Sequence, residues 1–243
     1  MSNDIMHHIH SLDVIRSPVK YPIEDVLRSN LGASVYGTLR ESLATGRFKP
    51  DARLRIRELA EQLGTSVTPA RDAILQLASE GALVLRSPRD IRVPVLSVER
   101  YLEIRAIRVE LEGLAAAAAA RAVSPAALAE LENLVELNKK AIEDGDLVTA
   151  LLYNQRFHLG LAKAAGMPTL EELIDQLWVR VAPLIAASYE AFSDRSRVGH
   201  HESVLRALRD RDSDGARRAI REDILEGGEA MLACIKSFTI FDD

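Results

Sequence analysis

In LLYNQRFHLGLAKAAG, residues 151–166, a histidine at 158 follows an asparagine at 154 by four positions. Residues four apart stack on one face of an α-helix, so Asn154 and His158 point the same way and can share one target. An imidazole beside an amide oxygen suits a divalent metal, although a carboxylate is the better neighbour for a histidine in such a site. The competing reading is a core histidine satisfied by a hydrogen bond. A second pair with the same spacing, Arg108 and Glu112, reads as an ion pair on a helix surface, worth a few tenths of a kcal/mol. Spacing alone decides neither role, so the elements that carry these residues must.

At 243 residues and 47% hydrophobic content the chain is long enough for two modest domains, each with a real core. Cys234 is the single cysteine and cannot form an internal disulfide. No apolar run is long and uncharged enough to span a bilayer, and MSNDIMHHIH has neither the basic start nor the apolar stretch of a signal peptide. The expected setting is a reducing cytoplasm, with no membrane partner. Net charge is −5, which argues against a protein that simply coats nucleic acid. Residues 30–95, however, carry ten Arg/Lys against seven Asp/Glu, so the acidity lies elsewhere. A mildly basic segment joined to an acidic remainder fits a nucleic-acid module fused to a part that does not touch nucleic acid.

Periodicity divides the chain further. Residues 1–30, with Pro18 and Pro22 and no sustained pattern, read as a flexible N-terminal arm. ASVYGTLRESLAT, ended by Gly46, predicts a first helix over 33–45. RLRIRELAEQLG predicts a short extended piece and a second helix ending at Gly64. TSVTPARDAILQLASEG predicts a third helix over about 67–80, with Ser66 or Thr68 as cap, Pro69 in the first turn and Gly81 just past the end. ALVLRSPRDIRVPV follows as a small hairpin. After Pro94 the pattern turns wholly helical, with stretches over about 98–122, 125–144, 147–165, 169–192, 194–211 and 213–236. The alanine run 115–120 lies inside the first of these and fits close helix packing. The predicted fold is mainly α: a winged helix-turn-helix at 31–95 and an all-helical bundle of about six helices at 96–243.

Two helices joined by a tight turn and followed by a hairpin are the order of a winged helix-turn-helix. The second helix of the pair enters the major groove, so its N-terminal end must carry exposed donors. Here it carries Ser66, Thr68 and Arg71, with Gln76 further along. Arg57 opens the preceding helix, where a cation opposes the local dipole and a phosphate would compensate it. Arg86, Arg89 and Arg92 put positive charge at or near the hairpin tip, suited to backbone or minor-groove contact. The bland alternative is a solvated surface with arginines spread by chance. The order of residues favours the first reading: the stretch VYGTLRESLATGRFKPDARLRIRELAEQLGTSVTPARDAILQLASEGALVLRSPRDIRV closely resembles the DNA-binding domain of the GntR family of bacterial transcription regulators. Leu59-Ala60, Leu63-Gly64, Thr68-Pro69, Arg71, Leu77 and Glu80-Gly81 carry the likeness. The resemblance implies that Arg57, Ser66, Thr68 and Arg71 meet double-stranded operator DNA, and Arg86 and Arg89 join the expected DNA contacts from their place near the hairpin tip. Three positions depart from the family pattern: Val67 for an arginine, Asp90 for the wing glycine and Asp51 for a turn glycine.

LEIRAIRVELEGLAAAAAA resembles the opening helix of the FCD effector domain of FadR-type GntR regulators, and NQRFHLGLAKAAG, HESVLRALRDRD and DGARRAIRED continue the match. Six readable helices fit the compact VanR-like branch. The resemblance implies a divalent metal (zinc, nickel, iron or manganese) held by Asn154, His158, His201 and Asp223, with Asn154 in place of an aspartate and Asp223 in place of a histidine. Without it, Asp223 is equally a surface charge or a partner of Arg218 or Arg221. The resemblance also turns Arg108 toward a cavity, where its guanidinium would grip the carboxylate of a small organic acid. Gly166-Met167 stands where the family often has Gly-Asn. The expected protein is a homodimeric, ligand-responsive regulator, most often a repressor in this family, and not an enzyme. The alternatives are a metal-dependent enzyme that kept its DNA-binding head, for which no general base or nucleophile motif is evident, and a dimerising DNA-binding protein with neither effector nor metal.

Overall fold

The computed structural model describes residues 31–191 and 200–239. The expected arm at 1–30 and the start of the helix expected from Asp194 lie outside the described residues.

The first unit runs α1 (Leu31–Ala44), β1 (Arg53–Leu54), α2 (Ile56–Gln62), α3 (Val67–Ser79), β2 (Val84–Ser87) and β3 (Asp90–Arg92). β1 is the extended piece read from RLRI, and it joins the hairpin as an outer strand: the sheet order is β1-β3-β2, all antiparallel. The sheet closes the unit because Leu54 and Ile91 pair in register and both are buried, facing Leu39, Leu59 and Leu77 in one apolar cluster. Asp51 has φ of +60°, so the turn position that a glycine would favour is a real left-handed turn. Its carboxylate is not wasted there, since Oδ2 takes a 2.5 Å hydrogen bond from Arg92 Nη1.

The second unit contributes six helices among the described residues: α4 (Val98–Ala122), α5 (Pro125–Glu143), α6 (Leu147–Ala164), α7 (Pro168–Ala191), α8 (His200–Arg209) and α9 (Ser213–Thr239). Their starts follow from local chemistry. The Ser97, Ser124 and Asp146 side chains each accept from a backbone N–H in the first turn, and Pro125 sits where its missing N–H costs nothing. Within the alanine run, Ala115, Ala116, Ala119 and Ala120 are fully buried and share a core with Ala216, Ala219 and Ile220 of α9. Small side chains let these two long helices approach closely, as the sequence implied.

The two units share one core. A single apolar cluster contains Val35, Leu39 and Leu43 of α1 together with Leu151 of α6, Trp178, Val181, Ala182 and Ile185 of α7, and Met231 and Ile235 of α9. Gly46 marks the closest approach: it has φ of +67°, and a Cβ built on it would collide with Ala186 of α7. Gly46→Ala should therefore lower stability by more than about 1 kcal/mol, from the left-handed backbone and from overpacking at this joint. A chemical-denaturation midpoint equal to that of the parent would remove the joint from this account.

Candidate functional site

The site is built from four helices of the second unit. α4 supplies Arg108 and Glu112, α6 supplies Asn154 and His158, α8 supplies His201, and α9 supplies Asp223. Arg108 and Glu112 are not on a helix surface, as their spacing suggested. They are 4% and 0% exposed, because other helices of the bundle cover the face of α4 that carries them. Arg108 Nε donates to Glu112 Oε1 at 2.7 Å, and His158 Nδ1 donates to Glu112 Oε2 at 2.5 Å. Both oxygens of one buried carboxylate are thereby used.

His158 turns its other nitrogen toward α9: Nε2 lies 3.4 Å from Asp223 Oδ2, and His201 Nε2 lies 3.5 Å from Asp223 Oδ1. His158, His201 and Asp223 each present one ligand atom within 4.8 Å of the others. Asp223 therefore does not pair with Arg218 or Arg221; Arg221 binds Glu110 and Arg218 lies against Asp212. His200 also stands apart, 2.7 Å from Glu226. Asn154 sits one turn before His158 and donates through Nδ2 to the Tyr189 hydroxyl at 3.2 Å.

Two imidazoles and a carboxylate are a donor set for zinc or another transition metal. Ligand atoms in a tetrahedral zinc site sit about 3.3 Å apart, given bonds of about 2.0–2.1 Å. The two imidazole-to-carboxylate separations, both through Nε2, are close to that, while His201 Nδ1, the other nitrogen of its ring, is buried with no hydrogen-bond partner. The residues fit such an ion.

Electrostatics follows from burial and from the order of charges. Burial disfavours a charged His158, but the Glu112 and Asp223 carboxylates outweigh it and push the imidazole up to about 9. Burial holds His201 down at about 4, with His158 adding repulsion against the pull of Asp223. Burial likewise opposes ionised Asp223 and Glu112, yet the facing imidazoles bring the Asp223 carboxyl down to about 2, while Arg108 and His158 hold that of Glu112 below its usual range. The two histidines must therefore shape stability in opposite directions. His158, raised above its unfolded value of 6.5, stabilises fully below that pH and loses its contribution as pH climbs to about 9. His201, depressed from 6.5, contributes fully above that pH and loses its contribution as pH falls to about 4. The melting temperature of chelator-treated protein should peak near neutral to slightly acidic pH and decline on both sides. A profile flat from pH 6.5 to 9 would remove the protonated His158–Glu112 pair.

Aromatic rings line the cluster. Phe157 and His201 have centroids 4.2 Å apart, the His158 ring is 5.3 Å from Trp178, and the Arg108 guanidinium lies over Trp178 at 4.9 Å. Among the described residues only Nε of Arg108 finds a protein hydrogen-bond acceptor, which leaves its terminal nitrogens for a ligand.

In the first unit, Ser66, Val67, Thr68 and Arg71 are all exposed at the N-terminal end of α3, and Ser66 is the cap residue by backbone angles without a side-chain cap bond. Its hydroxyl is left for another partner. Arg57, Arg71 and the Arg89 guanidinium have no ion-pair partner among the described residues, and Arg86 keeps only a 3.7 Å contact to Asp51. Arg92 is different: it is engaged by Asp51 and by Asp90 at 2.9 Å, on β3 rather than free at the tip. The Asp90 carboxylate, a charge that by itself would repel a phosphate, is thereby neutralised within the wing, with Arg53 3.5 Å away.

Sequence reasoning missed the depth of Glu112 and the placement of Trp178 and Tyr189. The only local signals were the Arg108–Glu112 spacing and the presence of a lone tryptophan in an apolar helix.

Comparison with known proteins agrees with this architecture. Residues 31–93 match the family of bacterial regulatory proteins, gntR family, and residues 103–226 match the FCD domain. The chain is 38% identical over 196 residues to the HTH-type transcriptional regulator McbR of Escherichia coli K12, covering 79% of this chain and 89% of that one. It is 28% identical over 197 residues to a probable D-xylose utilization operon transcriptional repressor of Paenarthrobacter nicotinovorans, covering 81% and 87%. The solved structure of E. coli McbR/YncC superposes with a TM-score of 0.78 at 36% identity, over 84% of this chain and 97% of that chain. A GntR regulator structure from Rhodococcus sp. RHA1, at 19% identity and a TM-score of 0.71 over 84% and 99%, shares the fold. Among the described residues no helix is long and apolar enough to cross a membrane.

Proposed function

Because the chain belongs to the GntR family of bacterial regulatory proteins, in the branch that carries an FCD domain, we propose that it is a ligand-responsive transcriptional repressor whose operator affinity is set by a small organic acid bound in the helical unit. The observation that carries the reading is the ligand-competent His158–His201–Asp223 trio, its two imidazoles buried and its carboxylate partly so, joined to Arg108 through the Glu112 carboxylate.

In this reading His158, His201 and Asp223 hold a divalent transition metal, and the amide oxygen of Asn154 completes the set. A bound ion supplies Lewis acidity toward an effector carboxylate. Arg108 offers that carboxylate its terminal N–H groups, while Trp178 and Phe157 exclude water. On the other unit, Arg71, Ser66 and Thr68 read base edges in the major groove, and Arg57, Arg86 and Arg89 meet phosphates. Val67, exposed where the family pattern has an arginine, presents an apolar surface suited to a thymine methyl. The working form is a cytoplasmic homodimer, since two heads reading half-sites match the symmetry of a near-palindromic operator.

One observation favours a second reading, a DNA-binding dimer with no effector. Arg108, Glu112 and His158 already satisfy one another in a buried network. Two measurements separate these. Anisotropy titrations at near-physiological salt should show the intergenic DNA beside the coding region bound at least about 1,000-fold more tightly than random duplex. Equal binding overturns the regulator. Zinc followed by small dicarboxylates should raise the melting temperature under the first reading; no rise with either leaves the second.

A further inference from the structure

The helix that lines the site is also the seat of the DNA-reading unit. On α7, Trp178 is fully buried, with His158 and Arg108 against its ring, and its Nε1–H donates to the carbonyl of Ala44, at the end of α1, at 3.2 Å. One turn earlier, Asp175 Oδ2 pairs with Arg40 of α1 at 2.8 Å, while its Oδ1 accepts from Gln155, three residues before His158 on α6. Two residues after Trp178, Arg180 Nε donates at 2.7 Å to the carbonyl of Glu80, at the end of the recognition helix α3. The Glu80 carboxylate in turn receives the Tyr36 hydroxyl of α1. One short segment of α7 thus binds the floor of the site, the end of α1 and the end of α3.

We propose that Trp178 is the positioning residue through which the state of the buried site sets the seat of the DNA-reading unit. The inference rests on the ligand-responsive reading above. Packed interiors do not deform continuously, so a ligand that moves the His158 ring or draws the Arg108 guanidinium away from the indole must be met by a new setting of that ring. The indole N–H carries the change directly to the last carbonyls of α1, where Gly46 leaves no slack against Ala186. Asp175 and Arg180 then hold α1 and α3 to the same movement. Other contacts between the units include the exposed Lys49–Glu190 pair and the apolar cluster, which has no direction. Trp178 touches both the ionised cluster and the backbone of the first unit.

The test compares the full-length protein with Trp178→Phe, which keeps an aromatic ring but removes the donor to Ala44. Operator affinity is measured by anisotropy on the protein's own intergenic duplex, with chelator and then with zinc, and zinc affinity is measured separately by competition. In the parent, zinc should change operator affinity by about 5–150-fold, the usual span of coupling between sites. In the variant, the ratio of operator affinity at saturating zinc to that with chelator, taken within the same protein, should fall toward one, whatever the shift in zinc affinity itself. An undiminished zinc effect in the variant overturns the role of Trp178 and leaves the regulatory reading standing. A parent whose operator affinity ignores bound zinc also overturns the role of Trp178, while the regulatory reading, which assigns the response to an organic acid, is judged by the duplex and dicarboxylate measurements. Should the variant fail to fold, the parent supplies the answer, because Trp178 is its single tryptophan. Its emission should shift on adding zinc and again on adding operator duplex; emission indifferent to both contradicts the proposal.

Discussion

Glu112→Ala is expected to destabilise the protein by about 3–5 kcal/mol, the cost of removing one partner from a buried ion pair. The carboxylate is wholly buried and accepts from Arg108 and His158, so its loss strands a guanidinium and an imidazolium in the interior. A surface pair about one helical turn apart, such as Arg100 and Glu103 at i,i+3, should cost no more than about 1 kcal/mol on truncation. The contrast separates the buried reading from the helix-surface one that spacing alone suggests. Replacing both members, Arg108→Met with Glu112→Leu, should recover much of the loss, since apolar residues of similar volume remove the stranded charge. Urea denaturation reads both. A stability for Glu112→Ala within about 0.5 kcal/mol of the parent, the size of an ordinary surface change, would mean that the pair is hydrated.

Arg71→Ala should weaken specific operator binding by about 1–3 kcal/mol, a factor of roughly 5–150, while leaving non-specific affinity within a few-fold. Arg71 is exposed in the first turns of α3 and has no ion-pair partner among the described residues, so nothing in the free protein competes for its guanidinium. Arg57→Ala should behave differently, weakening all duplexes alike and reducing the salt dependence, because a phosphate contact carries no sequence information. If Arg71→Ala changes specific and random duplexes equally, α3 does not read the operator in the way proposed. Arg92 is a useful control: it is tied to Asp51 and Asp90, and its loss should cost wing stability before it costs a DNA contact.

How far the sequence could be read depended on the range of the interactions involved. Helix starts were legible where one side chain meets the backbone three residues on, as at Ser97, Ser124 and Asp146. The hairpin was legible from its Ser-Pro-Arg-Asp turn. The partner of the hairpin was not, because Arg53 of β1 meets Arg92 of β3 across 39 positions and two residues of strand show no periodicity. Composition also gave no sign that the two units share one core, since Trp178 reaches Ala44 over 134 positions. At the site, the resemblance placed His158, His201 and Asp223 in one set, and the structure brings those three together. It also puts Asn154 a turn away, bonded to Tyr189. The spacing of Arg108 and Glu112 was readable, but their depth was not, because an i,i+4 pair looks the same whichever face of the helix it occupies. Burial was decided by the neighbouring helices, which the pair itself does not encode.

On the proposed function, the His158–His201–Asp223 trio is a ligand-binding centre and not merely a self-satisfied polar network. Elemental analysis of untagged protein, purified without chelator beside a His158→Ala, His201→Ala variant, addresses it most directly. The parent should carry about one transition metal per chain and the folded variant almost none, as two imidazoles of a three-residue donor set are gone. No metal in the parent, even after incubation with zinc, nickel or manganese, would contradict it and leave Glu112, His158 and Asp223 as a structural network.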